Sequence, residues 1–397
     1  MAHRSVERNK DKMLHGDLGI VALGSCEELG RKVNSYITSW RLQRLKEIAP
    51  EDAGHLYESE IEHPSFLVDI AAPRFGSGEG KGQIFSSVRG DDLFMMVDVC
   101  NYSITYKMNG FLNHMSPDDH FQDLKRIIAA VGGKARRITV IMPFLYESRQ
   151  LLRTNRESLD CAMALQELVS MGVDNIVTFD AHDPRVMNSI PLHGFENYHT
   201  AYQFIKGIYS KFPDFKISPE RTMVISPDEN GTKRAIYMAN VLSIDMGMFY
   251  KRKDYTKLDD RGLNPIVSHE FLGANAEGRD MIIIDDMISS GDTVLETAAE
   301  LKKRNAGKIF ICATFGLFTG GLKKFDEAYE RGEFTQLLTT NLTYQSPELL
   351  SRPYYTSCDM SKFIALIIDT MNHDGSVSSL LDPIDRINDF LEKHNKL

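Results

Sequence analysis

Asp280-Met-Ile-Ile-Ile-Asp-Asp-Met-Ile-Ser-Ser-Gly-Asp-Thr293 is the stretch whose reading decides the fold. The triplet Ile282, Ile283, Ile284 is β-branched throughout and too short for a helix, so it reads as a buried parallel strand that stops at Asp285 and Asp286. Ser289, Ser290, Gly291, Asp292 and Thr293 follow as a small polar loop. From Val294 the apolar spacing Val294, Leu295, Ala298, Ala299, Leu301 is helical, with Lys302, Lys303 and Arg304 in the last turn and Gly307 as the stop. A strand that passes into a helix through small hydroxyl residues gathers backbone N–H groups and the positive helix end at one point. That is an anion site, and a phosphate is the expected ligand. The acid pair cannot bind a phosphate, but it can accept hydrogen bonds from sugar hydroxyls or hold a hard divalent cation. Together these parts fit a sugar phosphate. Taken alone, the same residues also fit an ordinary helix start beside a solvated acid pair.

The surrounding chain has 397 residues and 42% hydrophobic content, enough for two α/β domains with a core each. A formal charge of −9 without any compensating basic block argues against a nucleic-acid partner. Residues Met1 to Lys12 lack the apolar centre of a signal peptide, and clean apolar runs such as Phe363 to Ile368 fall far short of the ~20 residues that span a bilayer. No membrane partner is expected. Cys26, Cys100, Cys161, Cys312 and Cys358 are scattered without paired spacing, which points to buried structural thiols in a cytoplasmic protein.

Outward from the opening stretch, strands and helices alternate in both directions. Toward the N-terminus the expected strands are Leu18 to Leu23, Phe66 to Ile70, Phe94 to Val99, Ile138 to Met142, Ile176 to Phe179, Met223 to Ile225 and Ile244 to Phe249. Helices are expected around Leu29 and Val33, from His120, after a Ser158 cap, and from Ala235 to Leu242. Residues 39–64 and 101–118 read as irregular insertions, Pro191 to Tyr198 as a domain junction, and the stretch that follows Tyr250-Lys-Arg-Lys253, up to Glu270, as a polar loop. Arg74-Phe-Gly-Ser-Gly-Glu-Gly-Lys-Gly82 has the wrong spacing for a dinucleotide loop and lacks the hydroxyl residue a P-loop needs after its lysine, so a hairpin connection is expected. Glu147-Ser-Arg-Gln-Leu-Leu-Arg-Thr-Asn-Arg156 carries three arginines beside Tyr146, a set suited to a polyphosphate and a stacked base.

Chain position then supplies a constellation. His182, Asp228, Lys251 and the Asp285/Asp286 pair each follow directly after an apolar strand. In a parallel α/β sheet the carboxyl ends of the strands share one edge, where ligands bind. Each residue alone has a plainer reading: His182 as a structural partner of Asp180, Lys251 on a solvated face with Arg252 and Lys253, and Asp228 in a tight turn before Asn230-Gly231.

The order of motifs from Asp17 to Leu380 resembles the ribose-phosphate pyrophosphokinase family. The matching segments are Ser87-Val-Arg-Gly-Asp91, Asp180-Ala-His182, Ser226-Pro-Asp-Glu-Asn-Gly-Thr-Lys-Arg234, Ile284-Asp-Asp286 and Asp374-Gly-Ser-Val-Ser378. The resemblance implies two tandem phosphoribosyltransferase-type domains of α/β class, each a mainly parallel sheet flanked by helices. They would span residues 1–198, with a C-terminal segment 371–397 packing back, and 199–370. It implies Mg2+ as cofactor, with His182 and Asp228 as metal ligands, and a diphosphate loop at Asp228, Asn230 and Gly231. Asp285, Asp286, Ser289, Ser290, Gly291, Asp292 and Thr293 would bind ribose 5-phosphate. Lys251 and Lys253 would be catalytic, and Phe75, Glu79, Arg149 and Gln150 would bind ATP, the Phe75 to Glu79 loop across a neighbouring subunit. Ser87, Arg89, Ser376 and Ser378 would lie at a regulatory phosphate or ADP site. The assembly implied is a homo-oligomer built from dimers.

The activity implied is that of a transferase of nucleotide biosynthesis, moving the diphosphoryl group of Mg-ATP to the anomeric hydroxyl of ribose 5-phosphate. The chain departs from the family at Ser289, where an acid is usual, at Lys253 in place of arginine, and at Phe315 in place of histidine. Tyr146-Glu-Ser-Arg-Gln150 is one residue longer than the family's nucleotide pattern and lacks its final acid. These departures keep three alternatives open: a phosphoribosyltransferase that consumes phosphoribosyl diphosphate, a catalytically silent regulatory paralogue, and a pyrophosphokinase for another ribose-phosphate acceptor.

Overall fold

Strand–helix alternation folds into two parallel-sheet layers, one in each of two compact units. The computed structural model describes residues 14–47, 65–150, 152–153, 155–253 and 266–395; for 45–47, 251–253, 266–269 and 395 it describes the backbone only. Residues 1–199, 341–344 and 359–382 make the first unit, and 200–340, 345–358 and 383–397 the second. The segment 371–397, expected to pack back on the first unit, thus divides: 371–382 belongs to the first unit and 383–397 to the second. No helix among the described residues is long and apolar enough to cross a membrane.

In the first unit β1 (Leu18–Ala22), β2 (Asp92–Met96), β3 (Arg137–Ile141), β4 (Asn175–Phe179) and β5 (Gly194–Tyr198) lie side by side in chain order, every neighbouring pair parallel. Helices α1 (Glu27–Glu47), α2 (Pro117–Val131) and α3 (Asp160–Ser170) occupy the crossovers. Residues 191–198, expected as a junction, supply the edge strand β5 instead, because Phe195 and Asn197 find backbone partners in Ile176 and Thr178. Phe66 to Ile70 is not a full strand: Leu67 makes a single parallel bridge to Ile20. Helix α1 runs into the first of the expected insertions as far as Glu47; the rest of 39–64, from residue 48, lies outside the described residues.

The second expected insertion is ordered. Thr105–Met108 pairs antiparallel with Phe111–His114, and α2 begins at Pro117, three residues earlier than its apolar spacing implied. A capping box explains the early start: Ser116 Oγ accepts from the Asp119 N–H at 3.2 Å while the Asp119 carboxylate accepts from the Ser116 N–H at 3.0 Å. Helix α3 lacks the expected Ser158 cap. Leu159 stands at its N-cap, and Ser158 Oγ donates instead to Asp160 Oδ2 at 2.6 Å. The glycine-rich run after Arg74 is a hairpin, with Ile70–Ala71 paired to Gln83–Ile84. Gly78 and Gly82 serve close packing: a Cβ on Gly82 would lie 2.5 Å from the Arg126 carbonyl oxygen, and one on Gly78 2.6 Å from Met108 Sδ.

In the second unit the strands are β6 (Thr222–Ser226), β7 (Asp245–Lys253), β8 (Ile266–Leu272), β9 (Asp280–Ile288), β10 (Ile309–Gly316), β11 (Gln336–Thr340) and β12 (Tyr355–Cys358). They stand in the order β8-β7-β6-β9-β10-β11-β12, parallel except for the antiparallel pair β7 and β8. The stretch expected as loop up to Glu270 therefore contains an edge strand, and Tyr250 to Lys253 lie inside β7. Alternation along β9 splits its apolar residues between two cores. Ile282 and Ile284 face one with Phe204 and Ile208 of α4 (Ala201–Lys211) and Ala235 and Met238 of α5 (Thr232–Leu242), and Ile283 faces the other with Val294, Ala298 and Leu301 of α6 (Asp292–Lys303). Ile282 and Ile283 are 0% exposed and Ile284 2%, each worth about 1.5–3 kcal/mol of burial.

Candidate functional site

The chain leaves β6 in one direction to form β7 and β8, then re-enters on the other side of β6 as β9. This reversal is a topological switch point, which opens a crevice beyond the carboxyl ends of the two strands on either side of it. Thr222 pairs with Asp280 and Ile225 with Ile283, so the turn after β6 and the loop after β9 emerge beside each other.

The turn after β6 is built by Asp228. Its Oδ1 accepts from the Asn230 N–H at 2.9 Å and the Gly231 N–H at 3.0 Å, while Ser226 Oγ donates to the Asp228 carbonyl at 2.6 Å. A turn-forming carboxylate at this position leaves Asp228 a structural duty whatever else it does. Gly231 has no room for a side chain: a Cβ there would lie 2.9 Å from Ser226 Oγ. Helix Thr232–Leu242 starts at once and carries Arg234 back over the crevice.

Strand β9 runs past the acid pair to Ile288 rather than stopping at it. Asp286 is buried and Asp285 half-buried. Arg234 reaches both, with Nη1 3.8 Å from Asp285 Oδ1 and Nη2 3.8 Å from Asp286 Oδ2. Burial and then the adjacent Asp286 carboxylate push Asp285 well above its ordinary value, and Arg234 opposes that rise. Arg234 ends the Ser226–Arg234 motif, but nothing in the local sequence assigns its guanidinium to carboxylates on another strand.

Ser289 and Ser290 then lead to Gly291, whose φ of +84° is left-handed and whose Cβ would fall 2.3 Å from the Phe325 ring. Helix α6 starts at Asp292, two residues before the apolar pattern begins at Val294. The loop is braced from the segment after β10. The Thr319 N–H donates to the Ser289 carbonyl at 3.0 Å, Ser289 Oγ lies 3.2 Å from Thr319 Oγ1, and Lys324 Nζ is 2.5 Å from Asp292 Oδ1. Thr319 and Lys324 are site residues that sequence reasoning missed, since their link to the loop is purely tertiary. Thr293 is half-buried, and its carbonyl accepts from Thr297 Oγ1 at 2.8 Å. The buried Phe315, which stands where the family has histidine, lies in β10 opposite Met287.

Asp228, Asn230, Gly231, Asp285, Asp286 and Ser289 to Thr293 all fall at this crevice. The backbone of Lys251 and Lys253 pairs with His269 and Ile266 in the β7–β8 ribbon, while their side chains lie outside the described residues. His182 belongs to the first unit, exposed just beyond β4, where Asp180 holds φ +37° and its Oδ1 lies 2.9 Å from His199 Nδ1. Among the described residues no group of three or more His, Cys, Asp or Glu side chains is placed to hold a metal. The donors at the crevice are nonetheless hard carboxylate oxygens, which suits an ion held by one or two carboxylates and completed by substrate phosphates.

The remaining expected residues lie in the first unit. Phe75 is exposed at the hairpin tip and its N–H donates to the Glu79 carbonyl at 2.7 Å; Arg149 and Gln150 are exposed in the turn after β3. Tyr146, expected to offer a stacking face, is instead stacked on Phe121 at 4.3 Å, and its hydroxyl donates to Asp118 Oδ1 at 2.6 Å. Ser87 and Arg89 flank the buried Val88 in the turn before β2. Ser376 Oγ lies 3.1 Å from Ser378 Oγ. The cysteines are all free thiols, buried except for the half-buried Cys100.

Residues 18–172 match the family model for the N-terminal domain of ribose phosphate pyrophosphokinase, and residues 197–349 the model for the phosphoribosyl transferase domain. A ribose-phosphate pyrophosphokinase of Vibrio cholerae is 27% identical over 345 residues, covering 85% of this chain and 96% of its own. Its counterpart in Shewanella oneidensis is 27% identical over 320 residues, covering 79% and 91%. The crystal structure of phosphoribosylpyrophosphate synthetase from Mycobacterium smegmatis has the same fold, with a TM-score of 0.68 at 20% identity over 90% of this chain and 100% of that one.

Proposed function

Because the chain belongs to the ribose-phosphate pyrophosphokinase family, we propose that it transfers the diphosphoryl group of Mg-ATP to ribose 5-phosphate, giving phosphoribosyl diphosphate and AMP. The observation that carries this reading is the convergence, at the β6/β9 switch point, of the Asp228 turn, the Asp285/Asp286 pair and the loop that opens α6.

The start of α6, with Gly291 in a conformation that lets the backbone turn inward, receives the 5-phosphate through Ser289 to Thr293. Asp285 and Asp286 accept hydrogen bonds from the ribose hydroxyls, and Arg234 favours their charged forms. The turn from Asp228 to Gly231 faces the diphosphoryl group. Mg2+, when bound, would supply positive charge to the phosphate oxygens; His182 and Asp228 are each proposed as a metal ligand within their own unit. The anomeric oxygen forms a bond to the β-phosphorus as the bond from that phosphorus to the bridging oxygen breaks. AMP leaves with the bridging oxygen and the hydroxyl proton passes to solvent. Lys251 and Lys253 on β7 counter the charge on the transferred group, while Phe75, Glu79, Arg149 and Gln150 serve the nucleotide. Ser87, Arg89, Ser376 and Ser378 form the proposed regulatory anion site, in a cytoplasmic homo-oligomer.

Incubation with Mg-ATP and ribose 5-phosphate, with AMP and phosphoribosyl diphosphate followed by mass spectrometry, tests the reaction. Lys251→Ala is expected to keep the unfolding midpoint and lose roughly 10²–10³ in turnover. Undiminished AMP formation by that variant overturns the assignment.

A further inference from the structure

A cavity of about 450 Å³ in the first unit has no part in the reaction proposed above. It lies at the carboxyl end of β1 beneath the stretch 67–72, with Ile104 and Met115, at the foot of the inserted hairpin, and α2 closing its side. Leu23, Leu67, Val68 and Met115 make most of it apolar, and its size is that of a small-molecule site.

One end is polar and built from buried groups. His120 is 2% exposed and Asp123 5%, and both line the cavity from one face of α2, a single turn apart. His120 Nε2 lies 2.8 Å from the Asn101 carbonyl oxygen, which can only accept, so the ring proton sits on Nε2 and Nδ1 presents a lone pair. Among the described residues Nδ1 has no hydrogen-bond partner. Asp123 Oδ1 takes Arg74 Nη1 at 2.6 Å and Arg126 Nη1 at 2.7 Å, while Oδ2 accepts no hydrogen bond. The polar end of the cavity therefore offers two acceptors to which the described residues donate no hydrogen bond.

The same contacts define the ligand. Two arginines already offset the Asp123 charge, so a cation gains little there. Glu27 and Asp69 line the cavity too, and Arg31, its only lining cation among the described residues, is 3.6 Å from Glu27, which disfavours an anion. We propose that this cavity binds a neutral heteroaromatic amine of nucleobase or nucleoside size, its amino hydrogens on His120 Nδ1 and Asp123 Oδ2 and its ring against the apolar wall. Because Ile104 and Met115 flank the hairpin Thr105–His114, the site depends on a segment read from sequence as an insertion.

Calorimetry on the full chain with adenosine, cytidine and uridine tests this without any need for turnover. Adenosine or cytidine, which carry an exocyclic amine, is expected to bind at least roughly tenfold tighter than uridine, which offers only a ring N–H. His120→Phe, which removes the acceptor and fills the polar end, is expected to weaken that binding by roughly tenfold or more. Should His120→Phe fail to fold, Ala72→Leu, which narrows the cavity without touching its hydrogen bonds, is expected to weaken it as well. Equal affinity in the folded variant and the parent places the nucleosides elsewhere and overturns the proposal, as does the absence of binding to the parent at about 10 mM.

Discussion

Replacing Arg234 by glutamine removes a cation that lies against both acids of the pair. At 3.8 Å from each carboxylate, and with an effective dielectric of ~20, each attraction is about 4 kcal/mol before desolvation. Breaking a buried ion pair from one side typically costs about 3–5 kcal/mol; separations longer than a hydrogen bond place this case nearer 2–3 kcal/mol. For a 397-residue chain that unfolds as one, this lowers the unfolding midpoint by roughly 2–4 °C. The loss has a defined pH dependence. Asp285 has a folded-state value raised above the unfolded one, first by burial and then by Asp286, so between the two values the folded state holds more protons. Stability therefore falls as pH rises through that window, and without Arg234 the window widens upward. The gap between variant and parent, measured by calorimetry without divalent cations, is expected to be large at pH 8 and to shrink at pH 5. A gap that is absent at pH 8, or that grows on acidification, refutes the reasoning.

Gly291→Ala adds a left-handed alanine, costing roughly 1 kcal/mol, to an overlap with Phe325 worth about 1–3 kcal/mol. Its midpoint is expected to drop and its KM for ribose 5-phosphate to rise, with partial recovery in Gly291→Ala/Phe325→Leu; an unchanged midpoint contradicts the geometry. Burial pushes Asp98 up to about 7, even though the N–H groups of Cys100 and Tyr344 donate to its carboxylate. Its folded value exceeds the unfolded one, so roughly 4 kcal/mol of stability is lost as pH rises from about 4 to about 7. Asp98→Asn is expected to flatten that segment of the unfolding profile, and an unaltered slope speaks against it. Ser116→Ala breaks the capping box of α2 and is expected to cost about 0.5–2 kcal/mol in chemical denaturation, most visible as faster amide exchange in the first turn.

What the sequence determined by itself was everything carried by short range. The isoleucine triplet of β9, the hydroxyl loop with Gly291 and the helix that follows are local patterns, and local patterns specify strand, turn and helix type. The order of strand-end motifs was enough to place the chain in its family and its α/β class. Boundaries were legible only to within a turn or two: α2 began early because a capping box overrides apolar spacing, and residues 194–198 became a strand because a sheet edge was available to pair with them. Tertiary structure decided which groups meet. The strand order puts β6 beside β9, and that alone brings Arg234 to Asp285 and Asp286 from a different strand–helix unit. Lys324 reaches Asp292 only because their helices pack together. The buried acceptors of His120 and Asp123 acquire meaning only once an inserted hairpin closes a cavity over them. Such contacts join residues far apart in the chain, where neither periodicity nor propensity acts, so the fold had to form before the chemistry of the crevice and of the cavity existed.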